Sequence, residues 1–278
     1  MYLSENKGLD ATQLKLIAMI LMVLDHIYEF FSYTNLIPIW FTWLGRLVFP
    51  IFMFTMAEGF YYTKSREKYI LRLYIGSALM GIINYLLVDI FPRPDNFPII
   101  NNIFGTFFLT AFYLYFIEKI KENTKLEKSI TLSVFMMFIP ILLSSFPSLI
   151  TAALYNFGIS IPYGLYVLFN GVFPSLIFVE GGPFLILLGI IMYYLRHNRI
   201  KQVIIYVVIC LLLFTGGKFD IENLIYINYQ WMMGFSAIFM LMYNGNKGKG
   251  YKYLFYCFYP AHIYILYILS TLIMLNKF

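Results

Sequence analysis

The run from Leu14 to Glu29 sets the problem for the whole chain. It is apolar enough to enter a bilayer, yet it carries Lys15, Asp25, His26 and Glu29. Ionisable groups in a spanning helix are costly, and they usually face a bundle interior and do a job there. At about 100° per residue, Lys15 and His26 fall within about 20° of one another. Met19, Met22 and Glu29 share that face, whereas Asp25 lies about 100° to one side of His26. One helix therefore presents a cation near one membrane surface and an imidazole about 16 Å further along. The rest of the chain is expected to wrap around this stripe.

Composition removes the soluble alternative. Of 278 residues, 61% are hydrophobic and 12% charged, against roughly 45–50% and 25% in soluble domains. Aromatic residues reach 21%, and many cluster near the ends of apolar runs, where interfacial rings prefer to sit. The net charge of +6 does not point to nucleic acid, because Lys and Arg sit in short loops between apolar runs, which is the topogenic pattern. Cys210 and Cys257 lie in or beside apolar runs without paired spacing, so they say nothing about redox compartment. The first apolar run holds Asp25 and His26 and lacks a small-residue cleavage site, so it is expected to be a retained first helix rather than a signal peptide.

The predicted fold is all-α, a polytopic transmembrane helical bundle forming one domain over 1–278. Apolar segments are expected near 12–33, with a helix start at Asp10-Ala11-Thr12, then near 41–62, 69–91, 100–118 and 129–150, the last with Pro140 as a kink. Three prolines between 92 and 98 mark a break. The polar run Glu118–Lys128 is expected to be a loop. From 151 to 182, Pro162, Gly164, Gly171, Pro174, Gly181 and Gly182 interrupt an apolar run, which fits a broken or re-entrant segment. Further segments are expected near 183–196, 202–217, 227–243 and 252–275. Cation clusters at Lys64–Lys68, Lys119–Lys128, Arg196–Lys201 and Lys247–Lys252 are all cytoplasmic if the N-terminus is inside. The alternate loops are poor in cations, 92–99 carrying only Arg93 and 218–226 only Lys218. That orientation gives nine spans, or eleven if 151–182 crosses twice. No internal repeat is visible, which speaks against an inverted-repeat transporter.

His26 is the sharpest candidate for chemistry, as a general base whose basicity suits neutral pH. The plainer alternative is a buried neutral imidazole bonded to a neighbour. Glu29, one turn on, is the better-placed residue to orient it, and Asp25 the better partner for the second helix. Arg46 enters the second segment at about the depth of Asp25. It reads equally as an ion-pair partner or as a substrate contact. Glu58 is a substrate-contact candidate that could instead cap its helix or pair with Lys64 or Arg72. Arg72 lies one turn inside the third segment, deeper than Lys64 and Lys68, and could reach a phosphate bidentately. His262, near mid-depth in the last segment, needs a partner. Asn84, Asp89 and Gln230-Trp231 read as helix–helix hydrogen bonds, and His197 as a solvated loop residue. No Gly-rich phosphate loop, metal signature or nucleophile elbow is present, and no metal is expected.

The residues that carry a resemblance are Leu16-Ile17-Ala18-Met19 leading to Asp25-His26, then Gly45-Arg46-Leu47-Val48-Phe49-Pro50, Glu58-Gly59-Phe60 and Tyr69-Ile70-Leu71-Arg72. At the other end they are Gln230-Trp231-Met232-Met233, Tyr243-Asn244-Gly245 and Phe258-Tyr259-Pro260-Ala261-His262. Together they resemble the TraX family. The resemblance covers roughly 14–75 and 228–270, and between 92 and 200 it is only generic membrane helix. The family is named for an F-pilin N-acetylase and is similar to the larger acyltransferase-3 group. That group carries a basic residue, ten intervening residues and a His in its first helix, a spacing that Lys15 and His26 match. The chain departs from the larger group's Arg-x-x-Arg signature, having Tyr69 where the first Arg would stand before Arg72.

The resemblance implies a bacterial inner-membrane acetyltransferase with acetyl-CoA as donor and an amine or hydroxyl of a protein or glycan as acceptor. Catalytic roles would fall to His26, Asp25, Glu29 and Lys15, and acceptor contacts to Arg46, Glu58 and His262. Coenzyme A would be held by Arg72, Lys68 and Lys64. Two other readings of the polar residues remain from the sequence: a transporter or channel with an intramembrane polar path, and a non-enzymatic assembly factor for a surface polymer. The partners expected are the lipid bilayer, the donor and the acceptor, with no nucleic acid.

Overall fold

A computed structural model describes residues 8–155, 157–159, 163–213 and 220–276. Pro162 and Lys218 lie outside the described residues. Those described are helical apart from turns, with one isolated parallel bridge, Leu9 to Tyr243. Among the described residues five helices are long and apolar enough to cross a membrane: Trp40–Tyr62, Arg66–Ile90, Ile103–Lys125, Thr131–Leu154 and Tyr253–Leu275. The first helix, with its three charged side chains, is not among these five. Gly182–Leu195 and Gln230–Met242 are apolar but shorter.

The chain divides into two compact units, Met1–Tyr61 with Ile191–Ser270 and Tyr62–Ile190 with Thr271–Phe278. The first unit opens with α1 (Ala11–Phe31). Its start follows from Asp10, whose carboxylate accepts from the Gln13 amide while the Gln13 side chain accepts from the Asp10 amide, a reciprocal capping box. One face is buried through Leu14, Ala18, Met22, His26 and Phe30, the period of an amphipathic helix. Two short helices follow, α2 (Trp40–Gly45) and α3 (Val48–Tyr62). The predicted second segment is thus one apolar rod with a tight turn in it. Arg46 and Leu47 bond back three residues, to Trp43 and Leu44. Pro50 sits in the first turn of α3, where its missing N–H costs nothing.

In the second unit, α4 (Arg66–Ile90) packs against α5 (Ile103–Lys125), which packs against α6 (Thr131–Tyr155). The expectation of a loop over Glu118–Lys128 is corrected, because α5 runs on to Lys125. Lys and Glu are good helix formers, and Glu118 pairs with Lys121 one turn on. The stop comes later: Glu127 takes a positive φ of 51°, and the Lys128 amide bonds to the Asn123 carbonyl, closing the end as a Schellman turn.

The broken stretch takes the form of α7 (Tyr163–Val172) followed by irregular chain up to α8 (Gly182–Leu195). Its backbone is anchored within the unit at three points. The Leu176 amide bonds the Pro140 carbonyl, the Ile177 amide bonds Ser144 Oγ, and Thr106 Oγ donates to the Glu180 carbonyl. Leu109, Tyr113, Val179 and Ile186 form the apolar cluster beneath it.

The described part of the predicted segment near 202–217 is α9 (Arg199–Leu212), capped by Asn198, and 214–217 lie outside the described residues. That near 227–243 is not one helix. A π-turn over Asn223–Ile227 and a 3-10 turn over Gln230–Phe235 lead into α10 (Ser236–Met242). The Tyr206 hydroxyl of α9 bonds the Met233 carbonyl and Ser236 Oγ, which ties these pieces together. The last helix is α11 (Lys252–Leu275).

Candidate active site

His26 lies on the buried face of α1 and is only 7% exposed. Its Nδ1 is 2.6 Å from Nε2 of His262, on α11. The other nitrogen of His26, Nε2, is 3.5 Å from Glu29 Oε2. His262 in turn places its own Nδ1 2.8 Å from the carbonyl of Phe258, one turn earlier on α11. Four groups therefore stand in series: the Phe258 carbonyl, His262, His26 and Glu29. Apolar rings wall the series, with Phe258 stacked on His262 at 14° and Tyr259 and Phe30 against His26. Further along, Phe30 of α1 meets Tyr267 of the last helix edge-on, and the hydroxyl of Tyr33, just past the end of α1, bonds the Ser270 carbonyl.

Asp25, the neighbour of His26, points elsewhere. Its carboxylate oxygens lie 3.2 and 3.3 Å from Nη2 of Arg46. Gly45 makes this possible. A Cβ built there would lie 2.0 Å from Asp25 Cγ, so the carboxylate rests directly on the glycine backbone. Arg46 also donates to the Thr42 carbonyl, Thr42 Oγ and Gln230 Oε1, and its guanidinium sits over the Tyr229 ring. All three guanidinium nitrogens are engaged within the protein, and the ion-pair role of Arg46 is the one these contacts display.

At the other end of the stripe, Lys15 places its ammonium 5.4 Å from the Phe255 ring centroid. The turn Tyr243–Gly250 wraps the start of α1: the Ala11 amide bonds the Asn246 carbonyl, Thr12 Oγ donates to the Lys247 carbonyl, and the Gly250 amide bonds Thr12 Oγ.

The family model described as TraX protein matches residues 10–270, taking in both histidine helices and the Asp25–Arg46 pair. The chain belongs to the TraX family. No curated protein and no solved structure matches it.

In this TraX chain Glu58 corrects an expectation. Its partner is neither Lys64 nor Arg72 but Arg199, at 2.9 Å. Arg199 also donates to Gln202 Oε1, Gln202 donates to the Met192 carbonyl, and the guanidinium lies over Phe54 and Tyr243. Glu58 is thereby committed to a structural network. The partner that His262 was expected to need is His26.

Arg199 and Arg196 are the residues that sequence reasoning passed over, counting them only as topogenic cations. Arg196 lies 3.6 Å from the Tyr61 ring centroid and 4.3 Å from that of Tyr193, and it donates to the Tyr193 carbonyl. The available signal was the surrounding aromatics, on which an arginine stacks well. His197 is exposed, with the Tyr61 ring beside it at 89°.

The proposed coenzyme A residues belong to the second unit. Lys64 and Lys68 are exposed at the start of α4, and Arg72 is half-buried one turn on, its guanidinium 5.9 Å from the Tyr69 ring. Arg72 Nε is buried without a hydrogen-bond partner among the described residues. Among the expected interhelical bonds, Asn84 donates to the Asn101 carbonyl and Gln230 receives Arg46, while Trp231 bonds locally to the Leu224 carbonyl and Asp89 is exposed. Among the described residues no group of three His, Cys, Asp or Glu side chains is placed to hold a metal ion.

Proposed function

We propose that this chain is a membrane-embedded acetyltransferase of the bacterial inner membrane, N-terminus inside, that moves an acetyl group from acetyl-CoA to an amine or hydroxyl of a protein or glycan. One observation supports the reading most: a buried imidazole set between a second imidazole and a carboxylate, in a TraX-family chain, where the family resemblance implies pilin acetylation. Acetyl-CoA supplies the activated acyl group as a thioester. His26 Nε2 accepts the proton of the acceptor N–H or O–H as that atom attacks the thioester carbonyl, and Glu29 stabilises the resulting imidazolium. The carbonyl carbon–sulfur bond then breaks, and coenzyme A leaves as the free thiol by taking that proton from the imidazolium, which returns His26 to its neutral form. Asp25 and Arg46 neutralise each other and hold α1 against the α2–α3 turn, which keeps His26 in register.

Lys64, Lys68 and Arg72 fit the donor's phosphates by charge. The unsatisfied Arg72 Nε is the particular support, because a buried guanidinium N–H without an acceptor carries a penalty that an anion removes. The test is coenzyme A binding to the purified protein by calorimetry. The reading predicts saturable binding that weakens roughly 10-fold or more in Arg72→Ala, the loss of about 1.5 kcal/mol expected for a charge-assisted hydrogen bond. A wild-type protein that is folded and binds no coenzyme A contradicts it and favours a transport or assembly role.

A further inference from the structure

The two histidines, taken with the carbonyl behind them, define where their protons sit. A backbone carbonyl only accepts hydrogen bonds. The carbonyl of Phe258 lies 2.8 Å from His262 Nδ1, so that nitrogen carries the proton. In a neutral imidazole the other nitrogen is then an acceptor. His262 Nε2, as that acceptor, faces His26 Nδ1 at 2.6 Å, so His26 must be the donor through Nδ1–H. This leaves His26 Nε2 with a bare lone pair.

We propose that His262 is a positioning residue that fixes His26 as its Nδ1–H tautomer and so leaves Nε2 open as the base. The reverse tautomer of His26 would set two lone pairs against each other at 2.6 Å, or else force the proton off His262 Nδ1 and leave the Phe258 carbonyl facing a second acceptor. Both are penalised in a dry interior, where unmatched polar atoms cost the full desolvation of the group. Glu29 completes the device. Its Oε2 stands 3.5 Å from the open Nε2, so a proton arriving at that nitrogen finds a carboxylate beside it. The gain is electrostatic and appears only when the base is loaded, which is what a transition-state contact requires. The charged and titratable groups around His26 are Glu29 and Asp25 on α1, Arg46 at the α2–α3 turn, and His262 and Tyr259 on α11. Asp25 and Arg46 are bonded to one another, and His262 and Glu29 are the two groups in line with the ring.

This inference rests on the acetyltransferase reading only for its consequence, since the tautomer is a property of the protein alone. The chain has three histidines, so imidazole nitrogen-15 resonances of the full-length protein in detergent are assignable with one variant each. The expected wild-type spectrum, without any donor present, shows a protonated Nδ1 and a non-protonated Nε2 for His26, and a protonated Nδ1 for His262. His262→Leu removes the acceptor and releases His26 to the Nε2–H form, with acetyl transfer falling about 10⁴-fold, comparable to the cost of a wrong tautomer in a serine protease triad. His262→Gln offers a carbonyl oxygen to Nδ1–H, and it restores both the Nδ1–H signature and most of the transfer. A wild-type His26 protonated at Nε2, or a signature unchanged in His262→Leu, overturns the proposal, and the wild-type spectrum alone decides if the variants do not fold. The expected spectra without any acetyl transfer support the tautomer and overturn the acetyltransferase reading instead.

Discussion

At the scale of single residues, the contact between Gly45 and Asp25 makes the strongest demand. Gly45→Ala puts a methyl carbon where the Asp25 carboxylate now rests, so Asp25 must move and its bonds to Arg46 open. Overpacking of this kind costs about 1–3 kcal/mol, and thermal unfolding in detergent should register it as a lowered midpoint. Arg46→Ala leaves Asp25 without its cation and Gln230 without its donor. A loss of about 2–3 kcal/mol is expected for hydrogen bonds to a charged group, and Asp25→Asn combined with Arg46→Gln should recover part of it, as a double-mutant cycle measures. The direction of Asp25 and of Glu29 was legible in the sequence, because 100° per residue separates neighbours and brings i and i+3 together. The meeting of His26 with His262 was not. They are 236 positions apart, and helical periodicity says nothing about which helix faces which.

At the scale of elements, charge alone proved a poor guide to helix ends. Glu118–Lys125 is polar yet helical, since polarity reports exposure, while the stop depends on the left-handed residue at Glu127. Proline and glycine punctuation served better. The break after 151 was legible, though what anchors it was not. There, α4 and α7 cross with Gly81 against Gly171, a Cβ on Gly81 lying 2.4 Å from Gly171 Cα, and Ser77 Oγ donates to the Gly171 carbonyl. Small residues permit that approach between helices. Gly81→Val should therefore lower the unfolding midpoint and raise proteolysis within 163–172, with a cost on the order of 1–3 kcal/mol.

The proline-rich turn that follows α4 carries a pH dependence. Arg93 is buried and grips Asp95 through two bonds of 2.8 and 2.7 Å, with the Phe97 ring beneath the guanidinium. The Arg93 hydrogen bonds hold the Asp95 carboxyl below its usual range. A carboxylate with a depressed folded value contributes stability that is complete above its unfolded value, about 3.9, and is lost as pH falls through the folded one. Amide exchange at Asn96 and Phe97 should be unaffected by the turn's ionisation from pH 7 to 5. Protection should then fall at lower pH, and Arg93→Ala should remove that dependence.

At the scale of the whole molecule, an all-α membrane chain was legible from hydropathy, because a bilayer leaves the backbone almost no other choice. The count of crossings was less so. Among the described residues five helices are long and apolar enough by themselves, whereas the described part of α9, 14 residues, spans about 21 Å of an apolar layer near 30 Å. Such pieces blur a count made from apolar runs alone. What joins residue to molecule is the arrangement around His26, where the proposed acyl transfer draws on family membership, a buried imidazole and a flanking carboxylate. The most direct test follows labelled acetyl from acetyl-CoA in membrane vesicles carrying the wild-type chain or equal folded amounts of His26→Ala. The account predicts incorporation of label into protein or glycan by the wild type and a loss of about 10²-fold or more in His26→Ala. Wild-type incorporation by His26→Ala would contradict it.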